Sequence, residues 1–390
     1  MALGMSGIQV LALWAAGLGV AGQFAKLSVA FPEFQAAYPE AGVWAGFAVS
    51  ILSLLGIILG LSAGLVVARI GFRRLLIGAL LLGAVISLYQ ASLPPLPILM
   101  ATRAVEGLSH LIVVVAAPTL IGQVAAPQRR GAAMTLWSSF FGVSFAIVAW
   151  LGLPMVTASG IGALFAAHGV YMAAVAVLLL IVLPSKPVQN ADLPRLSLRR
   201  IVAQHGEVYR SANAATPALG WLFYTLTFVS LLTVLPGYVA ADQRAFVVSA
   251  MPLAGIAVSL TLGVGLLRAM SAVTVVQLGF GLSALIMAGL ILLPGQAALC
   301  IGLMGALGLV QGASFAAVPQ LNPTPDGQAR ANGAMAQMGN LGNTCGTPLL
   351  LAVGAAFGFA GVGGVVIGCF TAGMALHLWQ SRRRAATAIG

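Results

Sequence analysis

In the stretch "ATRAVEGLSH", residues 101–110, Arg103, Glu106, Gly107 and His110 stand at i, i+3, i+4 and i+7, so a helix would carry them on one face. A guanidinium, a carboxylate and an imidazole in that order can hold an anion and exchange a proton. The flanks are apolar, "PLPILM" before and "LIVVVAAPTLIG" after. In such a setting each charge costs about 2.5 to 3.5 kcal/mol to insert into a bilayer, which turns it towards a bundle interior or a wet cavity. Lys26, in the polar flank "GQFAKLS", is a second intramembrane cation.

The elements that must position these groups follow from composition. The 390 residues are 60% hydrophobic and 6% charged, far from the roughly one-quarter charged residues of soluble domains. Apolar segments of about 20 residues, long enough to cross a ~30 Å hydrocarbon core as helices, recur along the whole chain. Twelve spans are expected, at 6–31, 42–67, 73–93, 97–123, 132–156, 161–183, 214–239, 246–267, 272–293, 297–319, 332–355 and 358–379. The first lacks the basic start and cleavage site of a secretory signal, so it is expected to be retained.

The net charge of +11 would suggest nucleic acid in a soluble chain, but its distribution excludes that reading. All of the 18 Lys and Arg except Lys26, Arg103 and Arg244 fall in alternate connections, among them Arg69, Arg73, Arg74, Arg129, Arg130, Arg268, Arg330 and Arg382 to Arg384. The positive-inside rule makes that side cytoplasmic and puts both termini there, in an inner or plasma membrane. Cys300, Cys345 and Cys369 stand singly, with no metal-ligand spacing, nucleophile constellation or phosphate loop elsewhere. No cofactor is expected. "GLGVAG", Gly17 to Gly22, satisfies a dinucleotide-type GxGxxG but lies inside the first span rather than between a strand and a helix.

The longest connection, 184–212, is polar and basic and reads as a linker between domains at 1–183 and 213–390. Within it "LSLRRIVAQHGEVYR" has the makings of a short helix on lipid headgroups or of a solvated loop. The halves echo each other at an offset of about 202 to 205 residues: "AFPEF" with "VLPGY", "VEGLSH" with "VQGASF", "RRGAAMTLW" with "RANGAMAQM". Parallel six-helix repeats imply a pseudo-two-fold axis along the membrane normal, with a binding site between the repeats.

The chain resembles the major facilitator superfamily over its whole length. The carrying motif is "GLVVARIGFRR", similar to that family's G-x-x-x-D-R-x-G-R-R signature, in which Gly64, Arg69, Gly71, Arg73 and Arg74 match while Ala68 replaces the Asp and Phe72 a basic residue. In "GVGLLRAMSA" the second half keeps Gly265 and Arg268. "RAVEG" is similar to the fourth-helix R-x-x-x-G motif at Arg103 and Gly107, whereas the G-P-x-x-G run of the drug–proton antiporters is missing from "SSFFGVSFAIVAWLGLP". The resemblance implies an all-α membrane protein of two pseudo-symmetric six-helix bundles that moves a small molecule by alternating access. It also implies a cytoplasmic gate at the signature motif, weakened where the Asp is lost.

In that fold the first and fourth helices both line the central cavity, which brings Lys26 and Arg103 towards the same space. By the expected spans the two lie about 11 Å and about 10 Å outward of their helix midpoints. The expectation is that they attract an anion while Glu106, with His110, takes a proton. The cluster is +1 with Glu106 ionised and +2 with it protonated, so protonation favours the anion and couples the two as symport. A packing reading stands beside this one: Arg103 pairs with Glu106, Lys26 snorkels to the outer headgroups and His110 is a core histidine.

The second half has no charge within its spans. Tyr224 and Thr227, Gln311 and Ser314, and Gln337, Asn340 and Asn343 offer phenol, hydroxyl and amide groups that orient a polar substrate or tie helices together. Tyr224, Gln311, Asn340 and Asn343 join Lys26 and Arg103 as substrate candidates. The chain is therefore expected to be a proton-coupled carrier of a small polar, anionic, carboxylate-type organic solute, working as a monomer and by uptake. An exporter of drugs or metabolites and a transport-inactive receptor are the alternatives.

Overall fold

The computed structural model describes residues 5–57, 59, 71–126, 133, 136–184 and 206–389. Helices and turns make up all of it, with no strand among the described residues. Helix is what such a sequence must form: inside hydrocarbon every backbone N–H and C=O has to be bonded within its own segment. Among the described residues ten helical stretches are long and apolar enough to cross a membrane, and Trp44–Ile57 is a shorter apolar one. Contacts divide the chain into two compact units, Met1–Arg195 and Leu196–Gly390.

In the first unit α1 is Met5–Ser28, followed by the short α2, Phe31–Ala37, and by α3, Trp44–Ser50, which tightens into a 3-10 turn at Ile51–Ser53. Next come α4, Phe72–Gln90, and α5, Leu96–Val124. The fifth expected span is described as α6, Phe140–Ile147, a π turn at Val148–Gly152, and α7, Leu153–Ser159, so it ends three residues beyond the expected 156. The unit closes with α8, Ile161–Val182. One apolar core joins α1, α4, α5 and α8 through Leu13, Ala16, Leu76, Leu80, Val113, Ala117, Met172 and Leu179. Ile181, 76% exposed, stands on the opposite side of α8, where acyl chains rather than protein would meet it.

In the second unit α9 is Ala212–Val234, α10 Ala241–Val258 with a π turn at Ser259–Gly263, α11 Val264–Ala269, α12 Ala272–Leu292 and α13 Ala297–Leu321. Side-chain caps start three of these: Ser211, Ser271 and Gln296 accept from the backbone N–H groups of Ala214, Thr274 and Leu299. Each satisfies one orphan donor of the first turn. The final helical stretch, Pro325–Ile389, breaks at Gly358, with φ 63° and ψ −164°, a region that only glycine enters without steric cost. It gives two helices, α14 over 325–357 and α15 over 359–389, joined by a single residue. The helix α15 runs ten residues past the expected 379 and carries Arg382, Arg383 and Arg384 within its last turns.

Candidate functional site

The charged residues of the opening stretch lie inside the first unit. Arg103 and Glu106 project from α5, Lys26 from the last turn of α1, and all three are completely buried. Glu106 is the hub. Its Oε1 accepts from Lys26 Nζ at 2.8 Å, and its Oε2 accepts from Arg103 NH1 at 2.6 Å and from Gln90 Nε2 at 3.2 Å. Lys26 does not snorkel, because its remaining two N–H donors go to Ser87 Oγ and Gln90 Oε1, both at 2.8 Å. The Gln90 amide is thereby oriented, oxygen to the ammonium and nitrogen to the carboxylate, with Thr102 Oγ1 as a second acceptor at 3.1 Å. With two cations on one carboxylate the cluster carries a formal +1.

Arg103 also binds across to α3. Its Nε donates to the Ala48 carbonyl at 2.8 Å and NH2 to that of Val49 at 3.2 Å, at the place where α3 passes into its 3-10 turn. One turn along α5, Gly107 lies flat against Leu52, and a Cβ there would run into the Leu52 carbonyl. The R-x-x-x-G spacing thus has a physical meaning in this chain. The arginine ties down two carbonyls of the neighbouring helix, and the glycine lets the backbones approach one turn further on.

His110 is buried but stands apart from the cluster. Its Nδ1 meets the Val20 carbonyl at 3.1 Å, which makes that nitrogen the donor, and its ring sits edge-on to Phe24 at 5.2 Å. The side chains that complete the network come from elsewhere. Ser87 and Gln90 lie three apart on α4, and His168 of α8 brings Nδ1 to within 2.8 Å of Ser87 Oγ while Nε2 reaches the Gly19 carbonyl at 2.8 Å. Polar residues spaced by three in an otherwise apolar third span, and a second lone histidine in the sixth, are the signals that point to them.

In the second unit the candidate residues are neutral. Tyr224 is buried, stacks on Trp221 with centroids 4.4 Å apart and on Phe228 at 5.1 Å, and its hydroxyl has no hydrogen-bond partner among the described residues. Phe315 of α13 closes edge-on against Trp221 at 5.0 Å. The same lack of a partner holds for Ser314 Oγ, Asn343 Oδ1 and Thr347 Oγ1. Asn340 instead donates to the Ala336 carbonyl of its own helix at 2.8 Å, and Gln311 is half-buried on α13. Tyr209 donates to Gln337 at 2.8 Å.

Of the signature motif, Gly64 and Arg69 lie outside the described residues, as do Arg129 and Arg130 and most of the 184–212 connection. Gly71, Arg73 and Arg74 are described. Gly71 precedes α4 with φ 93°, and Arg74 is exposed. Arg73 donates from Nε to the Leu183 carbonyl at 2.9 Å and from NH2 to that of Leu180 at 2.8 Å, closing the C-terminal end of α8. The last carbonyls of a helix otherwise lack partners, and hydrogen bonds from a charged donor contribute about 1.5 to 3 kcal/mol when shielded. Because Arg73 is only half-buried, Arg73→Ala is expected to lower stability by about 1 to 2 kcal/mol, seen as an earlier melt in detergent. A melt equal to that of the parent protein would show that water replaces the cap without loss.

Among the described residues no group of His, Cys, Asp or Glu is placed to hold a metal ion. The family model of the Major Facilitator Superfamily matches residues 10–347. Among solved structures, the crystal structure of the human organic anion transporter MFSD10 (TETRAN) superposes with a TM-score of 0.72 at 15% identity, covering 95% of this chain and 99% of that one. No curated protein matches. A chain of apolar helices with a buried charged network, matched over most of its length by this family model, is a multi-pass membrane protein and a transporter rather than an enzyme: it belongs to the major facilitator superfamily.

Proposed function

We propose that the protein carries a small organic anion of carboxylate type across the inner or plasma membrane by alternating access, driven by protons and in the direction of uptake. In this reading twelve helices form two six-helix domains, 1–183 and 213–390, joined by the 184–212 linker, with both termini cytoplasmic and the monomer as the working unit. The observation that carries it is the buried Lys26, Glu106 and Arg103 cluster, whose formal charge of +1 leaves one cation more than its carboxylate neutralises. An anion is the ligand that completes such a site. The organic-anion description of MFSD10 agrees with this reading.

The second unit offers neutral candidates of its own. Tyr224, Ser314, Asn343 and Thr347 bury hydroxyl or amide atoms with no protein partner, an arrangement that costs free energy until a ligand or water is bonded. In this reading Tyr224, Gln311, Asn340 and Asn343 are the second unit's substrate candidates, offering hydrogen bonds to a neutral polar group. The aromatic series Trp221, Tyr224, Phe228 and Phe315 supports a second reading, export of a bulky apolar or cationic solute, which such faces also hold.

Thermal stabilisation separates the two, since a ligand of the native state raises the melting temperature as RT ln(1 + [L]/Kd). The purified protein is to be melted with a panel of carboxylates, amino acids, sugars and lipophilic cations at about pH 6 and about pH 8. The expected result is a carboxylate that stabilises more at the lower pH, loses its effect in Lys26→Met, and is weakened in Tyr224→Phe without loss of that variant's own stability. Stabilisation by lipophilic cations alone, unchanged in Lys26→Met, would replace uptake of an anion by export.

A further inference from the structure

The proton-coupled reading leaves open which group takes the proton, and the hydrogen bonds of the first unit discriminate among the candidates. Glu106 accepts from three donors, Lys26, Arg103 and Gln90. A proton on either oxygen would cancel the one negative charge that Lys26 and Arg103 share and leave two buried cations without a counter-charge, which is expensive. His110 donates through Nδ1 to Val20, and a proton on its Nε2 would meet no acceptor among the described residues.

His168 differs. The Gly19 carbonyl can only accept, so Nε2 carries the hydrogen, and in the neutral ring Nδ1 must then accept the Ser87 hydroxyl proton. Ser87 Oγ has a second acceptor within reach, the Phe165 carbonyl at 3.0 Å, and it receives Lys26 Nζ in either case. The hydroxyl is therefore a two-position rotor. When hydronium gives a proton to Nδ1 and leaves as water, Ser87 swings its hydrogen from Nδ1 to the Phe165 carbonyl and accepts the new N–H. Lys26 keeps its bond to Ser87 and Nε2 keeps Gly19. One N–H bond forms, no hydrogen bond is lost, and the charge of the Lys26, Arg103, Glu106 and His168 cluster rises from +1 to +2.

We propose that His168, reached through Ser87, is the residue on which the first unit takes up its coupled proton. The inference rests on the proposed proton coupling. The charged groups that bear on His168 are Lys26 from α1 and Arg103 and Glu106 from α5. The two cations oppose an imidazolium, and Glu106 offsets one of them. The proton is therefore held more tightly when an anion joins the cluster, and by linkage the anion binds better when the proton is present. The last helix of the second unit holds a buried histidine of its own, His377, but neither of its ring nitrogens has a partner among the described residues. Burial of a ring in a closing helix does not by itself create the rotor.

The test is nitrogen-15 NMR of the histidine-labelled full chain in lipid nanodiscs, titrated from about pH 8 to about pH 5 with and without each carboxylate of the stabilisation panel. The expected result is one ring that is neutral with Nε2–H at high pH, becomes imidazolium on acidification, and does so at higher pH when a stabilising carboxylate is present. That signal should be absent in His168→Gln, whose amide still donates to Gly19 and leaves Ser87 on Phe165, so that no donor is orphaned. In Ser87→Ala, which removes the acceptor for the new N–H, His168 should stay neutral over the same range. In His168→Gln any carboxylate stabilisation should become equal at the two pH values. A His168 ring neutral down to about pH 5 under every condition overturns the assignment, even where carboxylates stabilise the protein. A ring that becomes imidazolium in wild type but not in Ser87→Ala, while no carboxylate stabilises, keeps the proton site and removes the anion.

Discussion

Glu106→Gln is expected to destabilise the protein by about 3–5 kcal/mol, the usual effect of removing one partner from a buried ion pair. The penalty arises from what remains. Lys26 and Arg103, both without solvent exposure, would face each other with no counter-charge, and Gln90 would lose its carboxylate acceptor. Lys26→Met alone should cost less, because Glu106 keeps Arg103 at 2.6 Å. The double variant should then be more stable than the sum of the two losses predicts, since the second change removes one of the two cations that the first left unpaired. Thermal or denaturant melts of the four proteins in one detergent give the coupling. Additive losses, or a Glu106→Gln melt within about 0.5 kcal/mol of the parent, would show that water already shares the network.

Gly107→Ala should have the next largest effect. The added methyl would meet the Leu52 carbonyl, a backbone atom that no rotamer change can move. Overpacking costs about 1–3 kcal/mol where side chains can give way, and here α5 and α3 must separate. Separation also lengthens both bonds from Arg103 to Ala48 and Val49, so the loss is expected at the upper end of that range or beyond. Gly107→Val should fail to yield folded protein at all. Melting in detergent, with extraction yield as a second readout, decides the matter. An alanine variant as stable as the parent would mean that the two helices do not meet at this turn.

The membrane spans were legible because hydrocarbon leaves so little choice: continuous apolar runs have to be helices. Lys26, Arg103 and Glu106 were legible for the converse reason, since a charge in such a run is costly enough to require a function or a partner. What the pattern did not carry is the register between helices. Ser87, Gln90 and His168 are ordinary residues for an apolar helix, and only the rotation of α4 and α8 against α1 brings them to Lys26. His110 shared the expected face with Glu106, yet α1 supplies its nearest acceptor, the Val20 carbonyl, and draws it away. The 3-10 turn at Ile51–Ser53 had no Gly or Pro within it to announce it. The missing side-chain partners of Tyr224 and Asn343 could not be read either, because satisfaction of a hydroxyl depends on every neighbour at once.

The one-residue corner at Gly358 has a mechanical consequence. A loop of several residues can span a changing gap between two helix ends, since each extended residue reaches about 3.3–3.6 Å, but the single residue at Gly358, with φ 63°, keeps the two ends together. Helices 325–357 and 359–389 are thus two arms of one bell crank: a stroke that tilts the arm bearing Asn340 and Asn343 must also carry the arm bearing His377 and the three terminal arginines. Splicing a flexible glycine–serine segment into this corner would uncouple the arms while leaving each helix's own packing surface intact.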